Sequence, residues 1–292
     1  MQDFIAVLDF GSQYAHLIAK RIRHLGAYTK IFSPSAKENL LQDAKGIVLS
    51  GGPASVYSTD IPKFNSNILN LDLPILGLCY GHQLIAKEFG GAITNTGKGE
   101  FGKAILQQTS DFPLWQNVSF PNKVWMSHQD SVTKCPPDFK VTGVTESGNV
   151  AAMRHRKRRI YTLQFHPEVN DTEQGQKMLD NFINTCEICS KWSMETFIKE
   201  TTERLQQEVG ERKVLMFISG GVDSSVAFAL LNKALGKEKI LGLYINNGFM
   251  RKDESAEIIE RYRQLGYTNI QPRDYSTFFL DAVANQVDPQ IK

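Results

Sequence analysis

Short unbroken apolar runs alternate along this chain with stretches of helical spacing. Phe4 to Asp9 is such a run, ending in Phe10-Gly11-Ser12-Gln13, and Tyr14 to Leu25 carries a helical period that Gly26 stops. Gly46 to Leu49 and Leu73 to Leu78 read as buried strands, and a helix through Gln83, Leu84, Ile85 and Phe89 ends at Gly90-Gly91. Ala104 to Gln164 is richer in strand-like segments and turn residues and predicts hairpins beside the sheet; Gly175 to Ile183 is helical again. A further helix starts at Ser193, an N-cap residue type, with Met194, Phe197, Ile198, Thr201 and Leu205 on one face. Then come a buried strand at Val214 to Ile218, a helix at Val226 to Leu235 closed by Gly236, a strand at Ile240 to Ile245 and a helix at Glu254 to Leu265. This order predicts an α/β fold, a mostly parallel sheet flanked by helices over residues 1–188, with a second α/β unit over 189–292.

Composition changes this picture little. The chain has 292 residues, 41% hydrophobic and 22% charged, with a net charge of +2. That suits two soluble domains and points to neither nucleic acid nor membrane. No apolar run approaches the roughly 18 residues of a membrane helix, and Met1-Gln2-Asp3-Phe4-Ile5 has no basic leader. Four cysteines make no disulfide framework, so a cytoplasmic protein is expected. Cys186 and Cys189 form a Cys-x-x-Cys pair without a matching second ligand pair, and read, like Cys135, as incidental thiols. The basic run Arg154-His155-Arg156-Lys157-Arg158-Arg159 reads as a solvated hairpin tip, because no aromatic residue interleaves it.

Two motifs carry chemistry. Gly77-Leu78-Cys79-Tyr80-Gly81 lies between a strand and a helix, the arrangement of a nucleophile elbow with sulfur in place of oxygen. A thiol there stands at a helix N-terminus, which favours thiolate, and the Tyr80 N–H can face an oxyanion. A thiol nucleophile needs a base and the base an orienting group. Among six histidines His166 fits best: in Phe165-His166-Pro167-Glu168 an extended backbone places Glu168 on the same side as the ring. His128 is a candidate pocket residue, His82 reads as packed or exposed, and His16, His24 and His155 as solvated. The second motif is Ser219-Gly220-Gly221-Val222-Asp223-Ser224-Ser225, between an apolar strand and a helix. Its glycines let backbone amides face an anion, its serines add donors, and the helix end adds its dipole. No lysine of the Walker type is present.

The strings Gly-Leu-Cys-Tyr-Gly-His-Gln at 77–83, Ser-Gly-Gly-Pro at 50–53 and Phe-His-Pro-Glu-Val at 165–169 resemble the class I glutamine amidotransferases, whose first domain is flavodoxin-like. The resemblance implies Cys79 as nucleophile, His166 as acid and base, and Glu168 as its orienter. It implies oxyanion-hole amides at Gly52 and Tyr80, and Gln83, Ser127 and His128 near the glutamine. The second string is similar to the pyrophosphate loop of N-type ATP pyrophosphatases, an adenine nucleotide α hydrolase-like fold, which implies ATP on residues 219–225 and Asp223 near Mg²⁺. The tandem resembles the glutamine-hydrolysing GMP synthetase family, whose substrates are glutamine, ATP and xanthosine 5′-monophosphate. The resemblance implies a homodimer formed through a C-terminal domain that lies past Lys292, so that the second unit is only part of a synthetase domain.

Departures are Gln129, where the family has glycine, and Asn246-Asn247-Gly248, where it has Asp-x-Gly. Two other classes compete: an RNA-modifying ATP pyrophosphatase using the basic run, which leaves Cys79, His166 and Glu168 unexplained, and an idle regulatory module that binds glutamine or nucleotide.

Overall fold

The computed structural model describes residues 3–53, 55–58, 62–189 and 192–288, with residues 96–98 as backbone only. Contacts divide the chain into two compact units, Met1–Ser193 and Met194–Lys292. The division falls five residues after the expected 188/189, and the Trp192 N–H, donating to Gly26 O at 2.7 Å, ties that segment to the first unit.

The first unit is built on one nine-stranded sheet in the order β2-β1-β3-β4-β9-β8-β7-β5-β6. Its parallel half comprises β1 (Phe4–Leu8), β2 (Thr29–Phe32), β3 (Ala44–Leu49), β4 (Ile75–Leu78) and β9 (Ile160–Leu163). The hairpin strands β5 (Ala92–Gln108), β6 (Asn122–Lys134), β7 (Phe139–Thr145) and β8 (Val150–His155) continue the same sheet edgewise in antiparallel pairing.

All five residues of β1 are buried because both faces are covered. Ile5 and Val7 pack with α1 (Ala15–His24) and α3 (Gly175–Thr185), while Phe4, Ala6 and Leu8 pack on the side of α2 (Tyr80–Glu88). Helix α1 buries Ala15, Ile18, Ala19 and Ile22, the i, i+3, i+4, i+7 stripe of an amphipathic helix.

The second unit has α4 (Met194–Val209), then a parallel sheet β10-β11-β12 of Val214–Ile218, Ile240–Asn246 and Ile270–Asp274, with α5 (Val222–Leu235), α6 (Glu254–Gln264) and α7 (Ser276–Ala282). Phe228, Tyr244, Ile258 and Tyr262 form its core. The expectation of a buried strand at 214–218 is corrected: Leu215 and Phe217 are 56% and 63% exposed, since their face of the sheet is uncovered. Likewise Met194 and Phe197 of the α4 stripe are exposed. Among the described residues no helix is long and apolar enough to cross a membrane.

Candidate active site

The elbow forms as its glycines require. A Cβ on Gly81 would lie 2.5 Å from Leu49 O, and one on Gly77 would lie 2.6 Å from Gly81 O, so α2 closes onto β3 and β4 only because both positions lack a side chain. Cys79 sits between them as the N-cap of α2 at φ 52°, ψ −102°, a left-handed conformation that a non-glycine residue adopts only under constraint. The Cys79 N–H donating to Leu163 O at 2.9 Å and Gly81 N–H donating to Ser50 O at 3.2 Å hold it there.

His166 and Glu168 meet as expected, by a different route. They lie past the end of β9 in a turn, not in extended strand. The His166 N–H donates to Trp125 O at 3.1 Å, and Thr172 Oγ1 donates to His166 O at 2.6 Å, which fixes the turn. His166 Nδ1 then stands 2.7 Å from Glu168 Oε1, with the two side chains 3% and 0% exposed. Among the described residues Glu168 Oε2 has no hydrogen-bond partner, so the imidazole is the one side chain there that hydrogen-bonds this buried carboxylate. Burial works against the imidazolium. The Glu168 charge, hydrogen bonds with Cys79 and Glu168, and the Cys79 charge outweigh it, and the pKa of His166 stands well above the ordinary value.

A cavity of about 580 Å³ opens over the elbow, and Gly52, Cys79, Tyr80, Gln83, Ser127, His128 and His166 all line it. Cys79 Sγ is 3.7 Å from Ser127 O. The N–H groups of Gly52 and Tyr80 have no acceptor among the described residues. Tyr80 is at the first position of α2, where no helix carbonyl is in reach. Gln83 is already engaged, its Nε2 donating to Asp130 O at 2.8 Å and to Gln164 Oε1 at 3.2 Å. The Gln129 departure falls on an exposed side chain of the same cavity.

The other histidines divide. His16 and His24 are exposed, while His82 is sealed, its Nδ1 2.8 Å from Thr162 Oγ1, with burial and the nearby His128 pushing its pKa down to about 3. The expectation that His155 is solvated is corrected: it is buried against Phe89 and Phe139, and its Nδ1 accepts the N–H groups of Lys157 and Arg158. Two arginines of the basic run also serve the fold. Arg158 donates to Leu69 O, and Arg159 pairs with Glu187 at 3.0 Å.

Sequence reasoning passed over Glu100, whose carboxylate takes His128 Nε2 at 3.2 Å and Thr145 Oγ1 at 2.8 Å. Burial pushes the Glu100 carboxyl up, but hydrogen bonds from His128, Thr145 and Asn149 and the His128 charge hold it at about 2. The local signal was a lone acid between Gly99 and Gly102.

In the second unit, Ser219 to Ser225 turn from β10 into α5, with Gly221 as N-cap. Gly220 has φ +77°, and a Cβ there would lie 2.6 Å from Ile258 Cδ1. Ser224 Oγ and Ser225 Oγ donate to Gly221 O at 3.1 and 2.8 Å, and Ser219 Oγ accepts the Gly221 N–H at 3.3 Å. Val222 and Asp223 face solvent. The first turn of α5 thus presents N–H groups and one carboxylate outward, a set suited to a phosphate and its Mg²⁺, which takes one or two carboxylates beside substrate oxygens. Asn246, at the end of β11, has its Nδ2 3.3 Å from Asp274 Oδ2, so a carboxylate is present at this position from the neighbouring strand. Among the described residues no three His, Cys, Asp or Glu side chains cluster as metal ligands.

Residues 6–186 match the family model for glutamine amidotransferase class-I, and residues 193–287 match that for NAD synthase. The chain is 41% identical over 292 residues to a glutamine-hydrolysing GMP synthase of Fusobacterium nucleatum, covering 99% of this chain and 57% of that protein. It is 43% identical over 291 residues to one of Campylobacter hominis, with the same two shares. The chain spans about half the length of the curated relatives it matches, down to 48% for one from Leptospira interrogans. The crystal structure of a candidate GMP synthase subunit from Thermoplasma acidophilum superposes with TM-score 0.56 at 28% identity, over 70% of this chain and 98% of that one.

Proposed function

The chain belongs to the class-I glutamine amidotransferase family, and from that premise we propose that its first unit hydrolyses glutamine. Cys79 Sγ attacks the side-chain amide carbon. His166 takes the thiol proton and returns it to the leaving nitrogen, so ammonia departs and a glutamyl thioester remains. Glu168 holds the ring's tautomer and offsets its charge. The N–H groups of Gly52 and Tyr80 stabilise the tetrahedral oxyanion. Water then cleaves the thioester to glutamate and restores the thiol. The observation that carries this reading is the convergence of Cys79 and the buried His166–Glu168 pair on one cavity.

The second unit, in this reading, binds ATP on residues 219–225, with Mg²⁺ at Asp223. The whole activity is that of the relatives: the xanthosine 5′-monophosphate carbonyl oxygen attacks the α-phosphate, pyrophosphate leaves, and ammonia displaces AMP to give GMP. The protein is then a cytoplasmic ligase of purine nucleotide synthesis. The test is release of glutamate from glutamine by this chain, with and without ATP and xanthosine 5′-monophosphate, beside a Cys79→Ala control. Hydrolysis that Cys79→Ala abolishes supports the reading; a folded chain silent in every condition refutes it.

A further inference from the structure

The cavity wall opposite the thiol is residues 127–130 of β6: Ser127 O lies 3.7 Å from Cys79 Sγ, and Gln129 and Asp130 also line the space. Ser127, His128 and Asp130 pair with Phe101, Glu100 and Asn95 of β5, and Gln129 falls in an irregular step of that ladder. Between β5 and β6 the register shifts between Asn95, which pairs with Asp130, and Glu100, which pairs with His128, so five steps on one strand face two on the other. A regular ladder cannot continue across such an insertion.

A side-chain chain ties this irregular step to β7 and α2. Thr145 Oγ1 on β7 donates to Glu100 Oε1 at 2.8 Å, and Glu100 Oε2 is 3.2 Å from His128 Nε2. His128 Nδ1 is 2.9 Å from Asp130 O, which also accepts Gln83 Nε2 of α2 at 2.8 Å. A carbonyl oxygen and a carboxylate can only accept, so the imidazole makes both bonds when it carries two N–H groups. The two side chains are 2% and 11% exposed, so truncating one partner would leave polar atoms of the other buried and unpaired.

We propose that Glu100 is a positioning residue for glutamine: through His128 it holds the 127–130 wall at the distance from Cys79 that the bound amino acid requires. The proposal rests on the glutaminase reading and adds a residue that does not touch the reacting atoms. Cys79, His166 and Glu168 sit on the end of β4 and the turn after β9, and the β6 atom that holds His166, Trp125 O, lies outside 127–130, where Trp125 pairs regularly with Lys103. Loss of the Glu100 bond therefore loosens the substrate's seat and leaves the nucleophile and its base in place.

The experiment reads binding apart from chemistry. On a Cys79→Ala background, adding Glu100→Gln weakens glutamine binding in calorimetry by about tenfold, the low end of what losing a charged hydrogen bond costs. In the active chain Glu100→Gln raises KM for glutamine by a similar factor with a much smaller change in kcat, and Glu100→Asp, which keeps the charge, recovers part of the loss. Thermal melting checks folding; if Glu100→Gln unfolds, Thr145→Val, which frees one carboxylate oxygen, gives a smaller weakening of the same kind. Unchanged affinity in the folded variant, or a fall in kcat at constant KM, overturns the proposal. A chain that hydrolyses no glutamine while Cys79→Ala binds it overturns the hydrolytic reading alone, and the binding comparison still decides the role of Glu100.

Discussion

In the first unit, strand residues that alternate between the faces of the sheet are buried on both: Leu76 and Leu78 pack with α1 and α3, and Ile75 packs on the side of α2. In the second, Leu215 and Phe217 alternate with Met216 and Ile218, and the first two face solvent. The candidate sites differ in the same way. The thiol site draws on positions from Gly52 to Glu168 and exists only once a closed core brings them together. The phosphate site is seven consecutive residues that a single strand-to-helix turn shapes locally. A site assembled from distant positions depends on its unit's core, whereas a contiguous loop can form on a unit that still leaves apolar surface open.

The largest test of this contrast is His166→Ala, for which we expect glutamine hydrolysis to fall by roughly 10³- to 10⁴-fold. ATP binding by the second unit, measured by titration, should not change. Next is the core itself. Leu78→Ala, at a fully buried position, should cost about 3 kcal/mol in denaturant unfolding. The matching change Leu215→Ala should stay within about 0.5 kcal/mol, as for exposed positions. Equal costs would dissolve the contrast.

Acidity offers a finer test, because all six histidines lie in the first unit. His82, held down to about 3 by burial, stays neutral in the fold while an unfolded chain protonates near 6.5. Stability is therefore lost as pH falls from about 6.5 toward 3. The raised pKa of His166 acts on the other side: its contribution is whole below about 6.5 and is lost as pH rises through the folded value. Melting across pH should show both slopes, with His82→Gln making the acid one shallower, since burial also lowers His155 and Glu100 is held at about 2. The smallest expected effect is on the loop: Ser224→Ala should weaken ATP by about threefold to tenfold, the worth of one hydrogen bond, and leave ATP-free glutaminase unchanged.

Much of the first site was legible because its constraints are steric and local. Gly77 and Gly81 are required by contacts under 3 Å, and such positions announce themselves in a sequence. A two-residue spacing predicts that His166 and Glu168 face each other, and their side chains lie 2.7 Å apart, although a turn held by Thr172, not an extended strand, brings them together. What sequence could not show was long-range. Glu100 meets His128 only through the register of a 17-residue strand with an internal shift. His155 looked like one more polar residue in a basic run, yet the turn after β8 folds back onto its ring nitrogen. The run Val214 to Ile218 reads alike whether or not its second face is covered, since periodicity reports the strand and not its neighbours.

In the proposed reaction, the left-handed backbone at position 79 sets catalysis and robustness against each other. Glycine is the residue that would relax this bend at no steric cost, and glycine has no sulfur. Every version of this elbow that keeps the proposed nucleophile therefore carries local strain, and selection for heat tolerance alone would drift toward a chain without its thiol at this one site.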